Sequence, residues 1–149
     1  MSLVLSKRKR YKINYSGLKK AINEAMKFFD VGTLELSLLL TDNDEISQLN
    51  KEYLGNDYPT DVLSFEGDRD FGILGDIVIS VEKAKEDFVS DSYGGWTQGI
   101  ATSSFENYLL WLVIHGILHN LGYDHDNEVS EREMRSKEKA CLEKVSQYL

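Results

Sequence analysis

The stretch "SSFENYLLWLVIHGILHNLGYDH" (residues 103–125) carries one long helix and the turn that ends it. Ser103 and Glu106, three residues apart, form a capping-box pattern that satisfies the orphan N–H groups of a first helical turn. Leu109, Leu110, Leu112, Val113, Ile114, Ile117 and Leu118 follow as a strongly apolar helix, and Gly122 supplies the left-handed residue at which it stops. The chain's 3 histidines, His115, His119 and His125, all lie between the middle of that helix and the end of the stretch.

Upstream, "SDSYGGWTQG" (90–99) is a glycine-containing loop that no periodicity claims, and before it Ser80 caps a helix through about Phe88. "DVLSF" (61–65) and "ILGDIVIS" (73–80) read as strands separated by the acidic "EGDRDFG", an antiparallel pair. A loop of Gly55, Asn56, Asp57 and Pro59 precedes them, after a helix capped by Thr41 and Asp42 that carries Ile46, Leu49 and Tyr53 on one face. "TLELSLLL" (33–40) is rich in apolar residues, as a buried strand would be, and Leu3 to Lys7 alternates weakly as another. Between these two, Ser16 caps a helix with Leu18, Ile22, Ala25, Met26 and Phe29 at helical spacing. Downstream, a last helix runs from about Ser130 to Tyr148. The predicted order β-α-β-α-β-β-α-α-α describes a single α/β domain (α+β-like) over 1–149. A small four-stranded mixed sheet is packed by about five helices, with a metal site on a helix-turn.

With 149 residues and 42% hydrophobic content, one domain with its own core is the expectation. The N-terminus has no apolar h-region, and no stretch of about 18 uncharged apolar residues occurs, so the expectation is a soluble intracellular protein with neither signal peptide nor membrane span. The single cysteine, Cys141, cannot close an internal disulfide; among Met134, Ala140, Leu142 and Val145 it reads as a small buried hydrophobe. A net charge of −8 argues against nucleic acid bound over a large undifferentiated surface, so any such contact must be local. The basic run Lys7-Arg8-Lys9-Arg10 supports no function alone.

His115 and His119 are four residues apart on a helix, so both imidazoles project from one face. After Gly122, a short turn through Tyr123 and Asp124 can fold back so that His125 completes a triangle. Three neutral imidazoles at about 2.0–2.1 Å leave a tetrahedral Zn²⁺ one open position, the arrangement of a catalytic rather than a structural site. Histidine also suits Ni²⁺, Cu²⁺ or Fe²⁺. A lone histidine near an apolar helix is more often a hydrogen-bonded core residue; three at i, i+4 and i+10 around a helix-ending glycine point to metal.

Metzincin proteases read H-E-x-x-H-x-x-G-x-x-H, and this chain matches every position except the glutamate, where Gly116 stands. That glutamate is the general base of the proteases, so peptidase chemistry of that kind is not expected while the metal cage remains.

"HGILHNLGYDH" (115–125), "LNKEYLGNDYPTDVLSF" (49–65) and "LGDIVIS" (74–80), with Met134 and Glu138 in the last helix, resemble the YbeY family of metal-dependent endoribonucleases from roughly residue 33 onward. The resemblance implies a bacterial cytoplasmic, zinc-dependent endoribonuclease, specific for single strands. It implies a part in 16S rRNA 3′-end maturation and ribosome quality control. By position the metal ligands are His115, His119 and His125, with the catalytic role on His115. The implied partners are ribosomal RNA, small ribosomal subunit proteins and a ribosome-assembly GTPase, with no membrane. A metal that acidifies bound water to a pKa near 7 and polarises a phosphoryl oxygen can assist phosphodiester cleavage, by that water or by the RNA's own 2′-hydroxyl.

Three positions depart from the family pattern: Leu54 where arginine is usual, Asn120 where leucine is usual, and Glu66 where proline is usual. Guanidinium binds phosphate bidentately and leucine cannot replace it, so weakened cleavage with metal binding retained is expected. Lys51, three residues earlier on the helix, points only partly the same way. Among other polar residues, Asp61 reads equally as an acceptor for an imidazole N–H or as a turn cap. Asp124 reads as a turn former, Thr60 and Ser64 as hydrogen-bonding groups, and Asp76 as a tie between the sheet and the histidine helix. Tyr93 and Trp96 offer rings that would stack on unpaired bases or pack the loop. A non-catalytic ribosome-assembly factor with a retained zinc site, and a metallohydrolase of another substrate, are the alternatives.

Overall fold

The computed structural model describes residues 3–90, 104–124 and 126–149. Four strands, β1 (Leu3–Lys7), β2 (Glu35–Thr41), β3 (Val62–Glu66) and β4 (Ile73–Ser80), form one sheet in the order β1-β2-β4-β3. β1, β2 and β4 are parallel, while β3 runs antiparallel to β4 and forms an edge. Five helices, α1 (Tyr15–Phe28), α2 (Asn43–Leu54), α3 (Val81–Ser90), α4 (Phe105–Asn120) and α5 (Glu128–Val145), complete the described elements together with two single 3₁₀ turns. The mixed sheet and the element order are those expected of the sequence.

α4 is buried on nearly all sides, from Tyr108 to Leu118, because it carries no continuous polar stripe to present to water. It lies against β3 and β4 on one side and against α1, α3 and α5 elsewhere. Ile77 and Ile79 of β4 join Leu109, Leu110, Ile114 and Ile117 of α4 in the main core. On the other face of the sheet α2 covers a smaller cluster of Ile46, Leu63 and Val78.

The helix ends differ from the sequence expectation where side-chain chemistry allowed two choices. Asn14, rather than Ser16, caps α1 by accepting from the Gly17 N–H at 3.0 Å, and the Ser16 hydroxyl donates to the Asn14 side chain. Ser104 caps α4 by accepting from the Asn107 N–H, so the cap falls one residue after Ser103, which lies outside the described residues. Asn127 caps α5, which ends at Val145 before a 3₁₀ turn to Tyr148. Ser80 does cap α3, taking the Lys83 N–H at 3.1 Å, and Asp42 caps α2. Asp76 does not tie the sheet to α4. Ile77 and Ile79 point into the α4 side, so the alternation of the strand turns Asp76 to the α2 side.

Gly116 explains why the glutamate of the protease pattern has no place here. A Cβ at this position would sit 2.8 Å from Ile77 Cδ1 and 3.1 Å from its Cγ1, so the bare backbone lets α4 settle onto β4. Gly116→Val should therefore overpack this contact and cost about 1–3 kcal/mol, lowering Tm by several degrees in a thermal melt; an unchanged melt would mean that α4 does not rest on Ile77. Cys141 is fully buried, and desolvation pushes its thiol up to about 12. Native protein at pH 8 should resist iodoacetamide and react once unfolded; rapid alkylation of the folded chain would contradict this packing.

Candidate metal centre

His115 and His119 sit one turn apart near the C-terminal end of α4, and their Nε2 atoms approach to 3.0 Å. The rings stand nearly perpendicular, with centroids 4.6 Å apart. Each ring is fixed through its other nitrogen. His115 Nδ1 lies 2.5 Å from Glu138 Oε2, and His119 Nδ1 lies 3.1 Å from the carbonyl oxygen of Tyr123. A carbonyl oxygen only accepts, so His119 Nδ1 carries a hydrogen, and in the neutral ring Nε2 then presents a lone pair; the Glu138 carboxylate favours the same tautomer for His115.

Two lone pairs facing each other across that distance repel unless a cation or a proton stands between them. Two nitrogens of a tetrahedral zinc site would be about 3.3 Å apart for bonds of about 2.0–2.1 Å, close to the spacing found. The donor set, neutral imidazoles whose outer nitrogens are held by a carboxylate and a carbonyl, suits a divalent transition ion. His125, the third expected ligand, lies outside the described residues, as do Tyr93 and Trp96 of the glycine loop.

Glu138 enters the sequence reading only as part of the family motif, with no role of its own. It is fully buried in α5, and its other oxygen accepts from the Trp111 indole N–H at 3.2 Å. Trp111 and His115 are themselves one turn apart on α4, so a single carboxylate holds two successive side chains of that helix. The available signal was a charged residue set among Met134, Cys141, Leu142 and Val145 on the apolar face of the last helix. At the other ring, Gly122 adopts φ 95° just past the helix end, a conformation suited to glycine, and this turn brings the Tyr123 carbonyl back to His119.

The imidazole pair opens onto a cleft of about 400 Å³ lined by Leu54, Val62, Leu63, Ser64, Glu66, His115, Gly116, His119 and Asn120. One wall is α4 and the other is β3, the edge strand of the sheet among the described residues. The Ser80 N–H donates to the Asp61 carbonyl and the Gly67 N–H to the Leu74 carbonyl, so odd-numbered residues from 61 to 67 turn their backbone polar groups toward β4. The alternation then turns the N–H and C=O groups of Val62, Ser64 and Glu66 outward along the cleft. Leu54, at the end of α2, thus stands at the site itself, as its place in the motif implies. Lys51 does not stand in for the missing arginine at the cleft: its ammonium lies 3.8 Å from Asp57. Asp61 is buried and accepts from the Tyr108 hydroxyl at 3.4 Å, two turns along α4 from His115, while Asp124 is exposed.

A model of the Endoribonuclease YbeY family matches residues 4–146. The chain belongs to the YbeY family. The Endoribonuclease YbeY of Bacillus licheniformis is 42% identical over 120 residues, which cover 72% of this chain and 70% of that protein. The Endoribonuclease YbeY of Aquifex aeolicus is 37% identical over 150 residues, covering 98% of this chain and 93% of that protein. The solution structure of TM1509 from Thermotoga maritima shares the fold with a TM-score of 0.64 and 30% identity, over 97% of this chain and 89% of its own.

Because the Glu138 carboxylate orients His115, Glu138→Gln should keep the shape but weaken the hold on the ring, lowering Zn²⁺ affinity about 10–100-fold in a chelator competition. Full affinity in this variant would show that the carboxylate serves only the packing of α4 on α5.

Proposed function

We propose that the chain is a metal-dependent endoribonuclease acting on single-stranded RNA in the cleft between α4 and the edge of β3. The observation that carries this reading is the converging imidazole pair, with both outer nitrogens anchored, opening onto that cleft in a chain whose relatives are named endoribonucleases. His115, His119 and His125 would hold Zn²⁺, with Ni²⁺ or another divalent ion as the substitute. When bound, such an ion supplies Lewis-acid polarisation of a phosphodiester.

The protein's own groups do the rest. Glu138 and the Tyr123 carbonyl keep the rings aimed at one point. The outward N–H groups of Val62, Ser64 and Glu66 lie along the cleft as donors to phosphate or ribose oxygens, and the Ser64 side chain lines the same wall. The finer reading follows the family resemblance: a cytoplasmic role in 16S rRNA 3′-end maturation and ribosome quality control. Its partners there would be ribosomal RNA, small-subunit proteins and a ribosome-assembly GTPase. In the described residues no helix is long and apolar enough to cross a membrane.

Leu54 favours a second reading, a ribosome-assembly factor that keeps the metal and has lost the chemistry. Its apolar side chain lines the cleft where guanidinium would meet a phosphate. Cleavage of a single-stranded ribosomal RNA fragment by zinc-loaded protein separates the two. Weak cleavage by the parent, none by His119→Ala, and a gain of about 10–100-fold in Leu54→Arg are expected, the size of one hydrogen-bonded charge. Silence in all three proteins would favour the assembly factor, and parent activity equal to that of Leu54→Arg would show that the arginine is dispensable.

A further inference from the structure

On the face of the sheet away from α4 lies a recess of about 390 Å³, within the range of small-molecule pockets, about 300–1,000 Å³. Its floor crosses all four strands, from Ser6 of β1 to Phe65 of β3. Ser37 and Asp76 are direct partners in the β2–β4 register, and Asp76 is the partner of Phe65 in the β3–β4 register. Leu39, Leu49, Tyr53 and Val78 form apolar walls. Tyr53 and Phe65 meet edge to face with ring centroids 5.3 Å apart, and Tyr53 is 62% exposed, so its ring is open to a further flat partner.

Neither the Ser37 hydroxyl nor the Asp76 carboxylate has a hydrogen-bond or ion-pair partner among the described residues. The recess therefore combines an open aromatic ring, apolar walls and an unmatched double acceptor. It also shares a rim with the imidazole cleft. Tyr53 and Phe65 line the recess, whereas their chain neighbours Leu54 and Ser64 line the cleft.

We propose that this recess is a nucleobase subsite that takes a guanine from the strand whose phosphate lies at the imidazole pair. The inference rests on the RNA-cleaving reading above and adds a base preference to it. A base offers a flat face to Tyr53, and guanine alone offers two parallel N–H donors, N1–H and the N2 amino group, to both oxygens of a carboxylate. Adenine and uracil set one donor beside acceptors that Asp76 repels, and cytosine offers only its N4 amino group. The phosphates stay on the rim, away from the carboxylate.

The test is anisotropy binding of 2′-O-methyl oligonucleotides, which resist cleavage by the 2′-hydroxyl route: a uridine nonamer and the same strand with one central guanine, adenine or cytosine. The parent should bind the guanine strand about tenfold tighter or more than the uridine strand, as one bidentate base contact allows. Asp76→Asn should abolish that preference by weakening the guanine strand while the uridine strand binds no worse than to the parent, and Tyr53→Ala should weaken all four strands severalfold. His119→Ala should keep the preference. Equal binding of the four strands by the parent, or a preference that survives Asp76→Asn, would overturn the subsite and leave the cleavage reading standing. No binding of any strand would overturn both. Parent protein that ignores the bases but binds tetramethylammonium, with the binding lost in Asp76→Asn, would identify a cation cage in place of the subsite.

Discussion

A carboxylate withdrawn wholly from water, that of Glu138, decides how α4 and α5 meet. A buried charge is tolerated only where hydrogen bonds replace its hydration, and here the Trp111 N–H and the His115 ring serve both oxygens. Satisfying the carboxylate therefore fixes the rotation of α4 about its axis relative to α5. It also fixes the direction of the His115 ring, because the nitrogen facing Glu138 leaves the other one facing out. The core and the site are the same construction: Met134, Cys141, Leu142 and Val145 bring α5 onto the domain, and the one charged residue among them aims an imidazole.

The second ring is held from the opposite direction. His119 answers to the carbonyl of Tyr123, which reaches it only because Gly122 reverses the chain immediately after the helix. One imidazole thus depends on tertiary packing and the other on a local turn. Gly116, between them, lets the helix lie close against Ile77 so that the pair faces the edge of β3 rather than being lifted away from it. A longer side chain there would separate the two walls of the cleft.

Much of this was legible in the sequence, for reasons that particular residues make plain. The apolar run from Leu109 to Leu118 announced a buried helix, and the spacing of His115 and His119 placed both rings on one face. The signals that failed were those in which neighbours compete for one task. Asn14 and Ser16, or Ser103 and Ser104, are equally good caps as residue types, and the geometry of the entering chain chooses. Asp76 faces away from α4, against the expectation, because a strand's two sides are told apart only when its neighbours' burial is known; Ile77 and Ile79 face α4 and so send Asp76 away. Glu138 stood in the motif, but its contact with His115 spans 23 positions and two helices, a distance no periodicity covers.

The remaining tension is electrostatic. The chain carries a net charge of −8, and among the described residues no lysine or arginine lines the cleft, whereas Leu54 and Glu66 do. Arg69 is turned to the end of α4, its guanidinium donating to the Asn120 carbonyl at 3.2 Å. A polyanion drawn to this face therefore meets little long-range attraction, and the field of the whole protein opposes it. On the proposed reading, what would hold RNA here is short-ranged: outward N–H groups along β3, an ion between the imidazoles, and, on the far side of the shared rim, an aromatic ring beside a carboxylate that would reward a base rather than a phosphate. Such contacts weigh the identity and the single-strandedness of the RNA more heavily than its charge. On that account an acidic protein can act on RNA without binding all of it.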